Sequence, residues 1–120
     1  PNEALTANDS FSAVNVELIP ANINITSPVR DTGVAPGQEV NITVAMNPRA
    51  VGVAQRILVS FMRNNRSVAE LNINNPQANN QAVLRVPADT APGELLIRAY
   101  AFPNEALTAN DSFSAVNVER

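Results

Sequence analysis

Two stretches of this sequence are identical over 17 residues: positions 1–17 and 103–119 both read PNEALTANDSFSAVNVE. Position 1 corresponds to position 103, so the offset is 102 residues. Solenoid repeats have periods of roughly 20–50 residues, whereas one complete β-sandwich takes about 100. The repeating unit is therefore predicted to be a whole domain at 18–120, preceded at 1–17 by a copy of its own last strand.

The composition predicts an all-β core built from aliphatic side chains. Hydrophobic residues make up 45% of the chain, but aromatic residues only 4%, and Trp is absent. Val and Ile favour strands. No apolar run approaches the roughly 20 residues that a membrane helix needs, and the first residues lack the charged and apolar parts of a signal peptide. The expectation is one sandwich without membrane insertion.

Apolar and polar residues alternate in short segments, and turns rich in Pro, Gly and Asn separate them. This pattern predicts an antiparallel sandwich, with strands at about 19–26, 39–46, 56–62, 69–74, 82–86, 94–102 and 112–119. In the predicted strand Glu39–Met46, every second residue from Val40 is apolar. The segment 27–37 is predicted to be a loop with two proline turns.

The alternation changes phase at two places in the copied region. At Ala115–Val116, and at the same place in the first copy, the apolar parity switches within a strand, which predicts a β-bulge. At Leu18–Ile19 the switch predicts a domain junction with almost no linker, and therefore a stiff joint.

Several motifs together resemble the immunoglobulin-like repeats of bacterial and archaeal cell-surface proteins. They are VAPGQEVNITVAMNP, ILVSFMRNNR, and VPADTAPGELLIRAYAF followed by DSFSAVNVE. Their order is more informative than any one of them, and they extend over most of residues 18–119. The resemblance implies an immunoglobulin-like sandwich of about seven strands, located outside the cell in a stalk, fibre or adhesin, with no catalytic apparatus.

The residue types needed for most catalysis are missing. The chain has no His and no Cys, so a nucleophilic triad or a zinc site cannot be built. Asp31, Asp89 and Asp111 lie near loop ends, but no loop has the Asp-x-Asp-x-Asp-Gly spacing of a calcium loop. The net charge of −3, with eight scattered cations, argues against nucleic acid. We expect no enzyme activity, no cofactor and no metal.

The acceptor pattern Asn-x-Ser/Thr for N-glycosylation occurs five times, at Asn8, Asn24, Asn41, Asn65 and Asn110. The first and last of these are the same site in the two copies. The predicted strands and turns place the acceptors where a transferase could reach them. An Asn-rich chain also forms such triplets by accident, so both interpretations stay open.

The copied strand is the candidate element of assembly, and the residues expected to make its apolar contacts are Phe11, Val14, Val16, Leu18, Phe113, Val116 and Val118. The first copy can belong to the preceding unit of a tandem array, or complete a neighbouring subunit by β-augmentation in a head-to-tail polymer, or be present by design. The expected partners are identical modules.

Three function classes follow: a structural repeat, a ligand-binding adhesin domain, and a non-catalytic accessory domain of a secreted enzyme. A binding domain would expose an aromatic-rich patch. Because aromatic residues are few, Phe61, Tyr100 and Phe102 are expected to be packing residues, which favours the structural repeat.

Overall fold

The computed structural model describes residues 17–120, and within them the regular structure is almost entirely β. The elements are β1 Ile19–Pro20, β2 Asn24–Ser27, β3 Thr32–Val34, β4 Glu39–Ala45, a 3-10 helical turn Pro48–Ala50, β5 Arg56–Arg63, β6 Arg66–Asn74, β7 Asn79–Arg85, β8 Gly93–Phe102, β9 Leu107–Thr108 and β10 Asp111–Val118. The extra strand predicted at 1–17 lies outside the described residues except for Glu17.

The strands form a sandwich of two main sheets. One sheet has the order β2-β4-β7 and the other β3-β10-β8-β5-β6, while β1 and β9 form a small parallel pair. Both sheets contribute to one continuous core, in which Ile42 and Val44 of β4 belong to the same buried cluster as Phe61, Leu95 and Val116. The prediction of an immunoglobulin-like all-β sandwich is confirmed.

The alternation in the sequence explains the two central strands. In β4 the even-numbered residues from Val40 to Val44 are buried, and the odd-numbered ones face outward. In β8 the odd-numbered residues from Leu95 to Ala101 are all fully buried. Each strand is buried on one face because successive side chains point to opposite sides of the sheet.

The antiparallel connection between β5 and β6 is a tight turn at Asn64–Asn65. Both residues have positive φ, at 55° and 62°. A two-residue turn with both central residues in the left-handed region matches the twist of the flanking strands, and Asn tolerates that region better than most residues. Strand β6 then forms one edge of the five-stranded sheet.

Two sequence-based expectations about this part of the chain were wrong in detail. The predicted strand 19–26 is divided into β1 and β2, because Asn22 adopts a left-handed conformation with φ of 47°. The predicted loop 27–37 contains β3, which pairs in parallel with β10. A strand of three residues is too short to show a periodicity.

The bulge predicted at Ala115–Val116 is absent. Strand β10 pairs with β8 without interruption from Asp111 opposite Tyr100 to Val118 opposite Gly93. Val116 and Val118 face the core, whereas Ala115 is buried on the opposite side, where the amide of Asp31 donates to its carbonyl oxygen at 3.0 Å. Ala115 is apolar and buried, but it lies on the face of the sheet away from the core. Two adjacent apolar residues, Ala115 and Val116, therefore gave the appearance of a shift in the alternation, although the strand itself is regular.

Candidate functional site

The two ends of the sandwich are the first candidate site, because the copied sequence would join units there. We call residues 17–23 the leading segment. Three of its amides donate to carbonyls in the connection between β8 and β10: Ile19 to Ala106 at 3.0 Å, Ala21 to Thr108 at 2.7 Å and Ile23 to Ala109 at 3.0 Å. These hydrogen bonds hold the leading segment against the domain, so it does not act as a flexible linker.

Asn47 holds the leading segment from the other side. Its Nδ2 donates to the carbonyl oxygen of Pro20 at 2.8 Å, and its backbone amide donates to that of Ala21, also at 2.8 Å. Its Oδ1 accepts from the amide of Arg49 at 3.2 Å, which caps the 3-10 turn. Asn47 therefore connects the leading segment to the turn that carries Arg49.

Arg49 also reaches the first residue that the structure describes. Its Nη2 lies 3.5 Å from Oε1 of Glu17, and both side chains are well exposed, at 61% and 74%. The sequence alone did not single out this pair. By the 102-residue offset, Glu17 is the counterpart of Glu119.

The trailing end, formed by residues 33–38 and 117–120, is built around Glu119. Its amide donates to the carbonyl oxygen of Val34 at 2.8 Å, and its Oε2 accepts from Nδ2 of Asn117 at 3.2 Å. The carboxylate lies directly over Gly33, where an added Cβ would be 2.8–3.0 Å from it. The Glu119 carboxylate thus packs against the backbone of Gly33, where a side chain would leave it no room.

The residues predicted to form an assembly strand have different environments. Phe11, Val14 and Val16 lie outside the described residues. Val116 and Val118 are buried in the core of their own domain. Leu18 and Phe113 are exposed, at 43% and 52%. The second copy therefore fills a place in its own sheet.

The candidate glycosylation sites also differ. Asn8 lies outside the described residues, while Asn24, Asn41 and Asn65 are exposed. Asn110 is half-buried, and its Nδ2 donates to the carbonyl oxygen of Ala101 at 2.9 Å and to Oδ1 of Asn104 at 3.0 Å. The nitrogen to which a sugar would be attached is already engaged at that site.

The outer face of the five-stranded sheet is a second candidate site. We call Arg56, Arg98, Tyr100, Phe102 and Phe113 the aromatic–arginine face. The Arg56 guanidinium lies 4.0 Å from the Phe102 ring centre, and that of Arg98 lies 4.5 Å from Tyr100 and 5.6 Å from Phe113. The rings of Tyr100 and Phe102 meet edge to face at 4.7 Å. These are favourable cation–π and aromatic geometries.

Arg98 is fixed on this face by an ion pair. Its Nε and Nη2 donate to the two carboxylate oxygens of Asp111 at 3.0 and 3.1 Å. The hydrogen bond to Asp111 raises the pKa of Arg98 above its ordinary value, against a smaller opposing effect of burial. Arg98, like any arginine, is a cation at physiological pH, and Asp111 holds that charge on this face.

The expectation for the aromatic residues was half right. Phe61 is fully buried, as predicted, but Tyr100 and Phe102 are only half-buried and lie on the outer face. Their even positions in β8 place them opposite the buried odd residues. The period of two in this strand predicts that Tyr100 lies on the face opposite Leu95 and Ile97, and the structure confirms it.

Within residues 17–120, no group of three or more acidic side chains is placed to hold a metal ion. The same residues include no helix that is long and apolar enough to cross a membrane.

The fold defines this chain as an immunoglobulin-like β-sandwich domain. A similar solved structure is the CARDB domain of the PF1109 protein from Pyrococcus furiosus, crystallised in complex with di-metal ions. The two share 16% sequence identity with a TM-score of 0.52, and the match covers 92% of this chain and 97% of that chain. At this identity the similarity shows the fold alone. No protein-family model matches the chain, and no curated protein does.

Proposed function

We propose that this chain is a structural module of an extracellular fibre or stalk, in which identical domains follow one another covalently and the duplicated strand ends one unit immediately before the next begins. The observation that carries the proposal is the identity of residues 1–17 and 103–119. In such an array, each copy is the last strand of a unit.

The arrangement of the ends supports a head-to-tail array. The leading segment lies beside the connection between β8 and β10, before β10 begins. Strand β10 then runs the length of the sheet and ends at Val118, opposite Gly93. At about 3.3 Å per residue, its eight residues span roughly 25 Å. The leading segment thus lies at one end of the sandwich and residues 117–120 lie at the other, which suits an extended spacer.

Strand exchange between subunits has less support. A donated copy needs a vacant place in the sheet that receives it. The place of the last strand is occupied by β10, which pairs with β8 on one side and with β3 on the other. An incoming strand would have to displace Val116 and Val118 from the core.

Deletion of residues 1–17 tests the proposal. The buried core lies between Ala21 and Val118, so the shortened chain should fold and unfold like the full chain. Sedimentation velocity should show that both are monomers over the same concentration range. Head-to-tail oligomers that form from the full chain and disappear on deletion would refute the covalent array in favour of strand exchange.

The aromatic–arginine face favours a second candidate function, binding of a surface ligand. Phe113 is half exposed at its edge, and aromatic and Arg side chains are enriched in binding hot spots. The probe is a panel of immobilised glycans and matrix proteins, tested with the full chain and with Phe113→Ser. Binding lost in the variant would support this candidate, and equal signals from both would remove it.

A further inference from the structure

We infer that the glutamate at the end of each unit is a shared acceptor that sets the angle between consecutive units. One carboxylate oxygen binds Asn117 of its own unit, and the other binds Arg49 of the following unit. This inference rests on the proposed covalent array and deepens it, because it names the residues that form the joint.

The two halves of this contact are both present in the structure. At the trailing end, Oε2 of Glu119 accepts from Asn117, and the carboxylate rests on Gly33. At the leading end, Oε1 of Glu17 faces Nη2 of Arg49. Because Glu17 and Glu119 are the same residue of the repeat, one glutamate in an array has both sets of neighbours. An ionised carboxylate has two oxygens and about four acceptor positions, so one glutamate can accept from Asn117 and Arg49 at the same time.

The length of the connection makes this contact geometrically specific. The counterpart of Val118, the last residue of β10, is Val16, and β1 begins at Ile19. Only Glu17 and Leu18 lie between them. Three residue steps span at most about 11 Å, and the hydrogen bonds to the leading segment fix the far end of this connection. The glutamate is therefore held close to Arg49, and the ion pair has to restrict only the remaining rotation.

A two-unit chain provides the test: residues 1–119 followed directly by 18–120, which repeats the Glu-Leu junction found at 17–18. The chain contains no Cys, so Val68→Cys in each unit, an exposed position on β6, gives one pair of spin-label sites. Pulsed electron spin resonance then measures the distribution of the distance between units. Insertion of a flexible Gly-Ser segment at the junction supplies the reference for an unrestricted joint.

Glu119→Gln in the first unit should broaden the distribution. Exposed ion pairs are weak. We therefore expect the ratio of chains in the ion-paired orientation to chains rotated away from it to fall by about 1.5- to 5-fold. The same loss should appear in 1 M salt, where the screening length falls to about 3 Å. Glu39→Gln is the matched control, because it removes the Glu39–Arg85 ion pair, which is exposed to a similar degree but lies on β4 and β7.

Charge exchange separates the ion pair from a purely structural effect. Glu119→Arg in the first unit or Arg49→Glu in the second should each broaden the distribution, and the two together should narrow it again in part, because the ion pair returns but the acceptor for Asn117 does not. Unchanged widths in the single variants, or no recovery in the double variant, would overturn the shared-acceptor inference while leaving the array intact. If the unmodified junction is as broad as the Gly-Ser reference, the proposed stiff spacer itself fails.

Discussion

Replacing Asn47 tests whether the leading segment is an integral part of the domain. In Asn47→Ala, the carbonyl oxygen of Pro20 loses its partly buried donor and the amide of Arg49 loses its acceptor. A lost partner of a buried polar group costs about 1–2 kcal/mol, and a lost cap costs about 0.5–1 kcal/mol. We therefore expect the free energy of unfolding to fall by roughly 1.5–3 kcal/mol.

Thermal and urea unfolding followed by circular dichroism would measure this loss. For a domain of about 100 residues, it corresponds to a decrease in Tm of roughly 6–15 °C. Asn41→Ala is the control, since Asn41 is an exposed asparagine on the polar face of β4. Asn47→Asp keeps the capping oxygen but replaces the donor to Pro20 with an acceptor that faces its carbonyl oxygen, so this variant should also be destabilised.

Hydrogen exchange locates the effect. The amides of Ile19, Ala21 and Ile23, which donate to the connection between β8 and β10, should exchange faster in Asn47→Ala, whereas amides of β8 should follow only the change in global stability. If Asn47→Ala is no less stable than Asn41→Ala, and these three amides keep their protection, the leading segment is not fixed by Asn47 and the reasoning is refuted.

Three further outcomes are expected. Phe61→Ala removes a fully buried ring and should cost about 3–5 kcal/mol in urea unfolding, while Phe113→Ala, at an exposed site, should cost far less; similar losses would contradict the assigned faces. Asp111→Asn should lower stability by less than about 1 kcal/mol, with a smaller effect in high salt, because its ion pair with Arg98 is partly exposed; a larger, salt-independent loss would contradict this. In a host that glycosylates Asn-x-Ser/Thr, glycopeptide mass spectrometry should find the lowest occupancy among the described acceptors at Asn110, whose Nδ2 is hydrogen-bonded; full occupancy there would be the contrary result.

The main strands could be predicted because each is long enough to show a period of two. In β4 and β8, seven and ten residues alternate between core and surface, and this pattern alone gives both the strand and its buried face. The turn after β5 was equally predictable, since consecutive asparagines favour the left-handed conformations that it requires.

Short parallel pairings could not be predicted in the same way. Strands β1, β3 and β9 have two or three residues each, and their partners are distant in sequence. Their positions depend on backbone hydrogen bonds, and the alternation of apolar and polar side chains does not show which backbone groups pair. The same limit hid the Arg49–Glu17 contact, because nothing in the sequence shows that the 3-10 turn lies beside the leading segment.

The fixed leading segment has a consequence for how an array of such units would fold. Neighbouring units with identical last strands risk exchanging them during folding, a common failure of repeat proteins. To take the place of β10 in the unit that follows it, a copied strand would have to bring its last residue opposite Gly93, roughly 25 Å from where β10 begins. That last residue, however, is only three residues before Ile19 of the following unit, and Ile19 lies at the end of the sandwich where β10 begins. Three residue steps reach only about 11 Å. Once the leading segment has docked, the wrong strand is kept out of reach, so identical sequence can be repeated along the chain without mispairing.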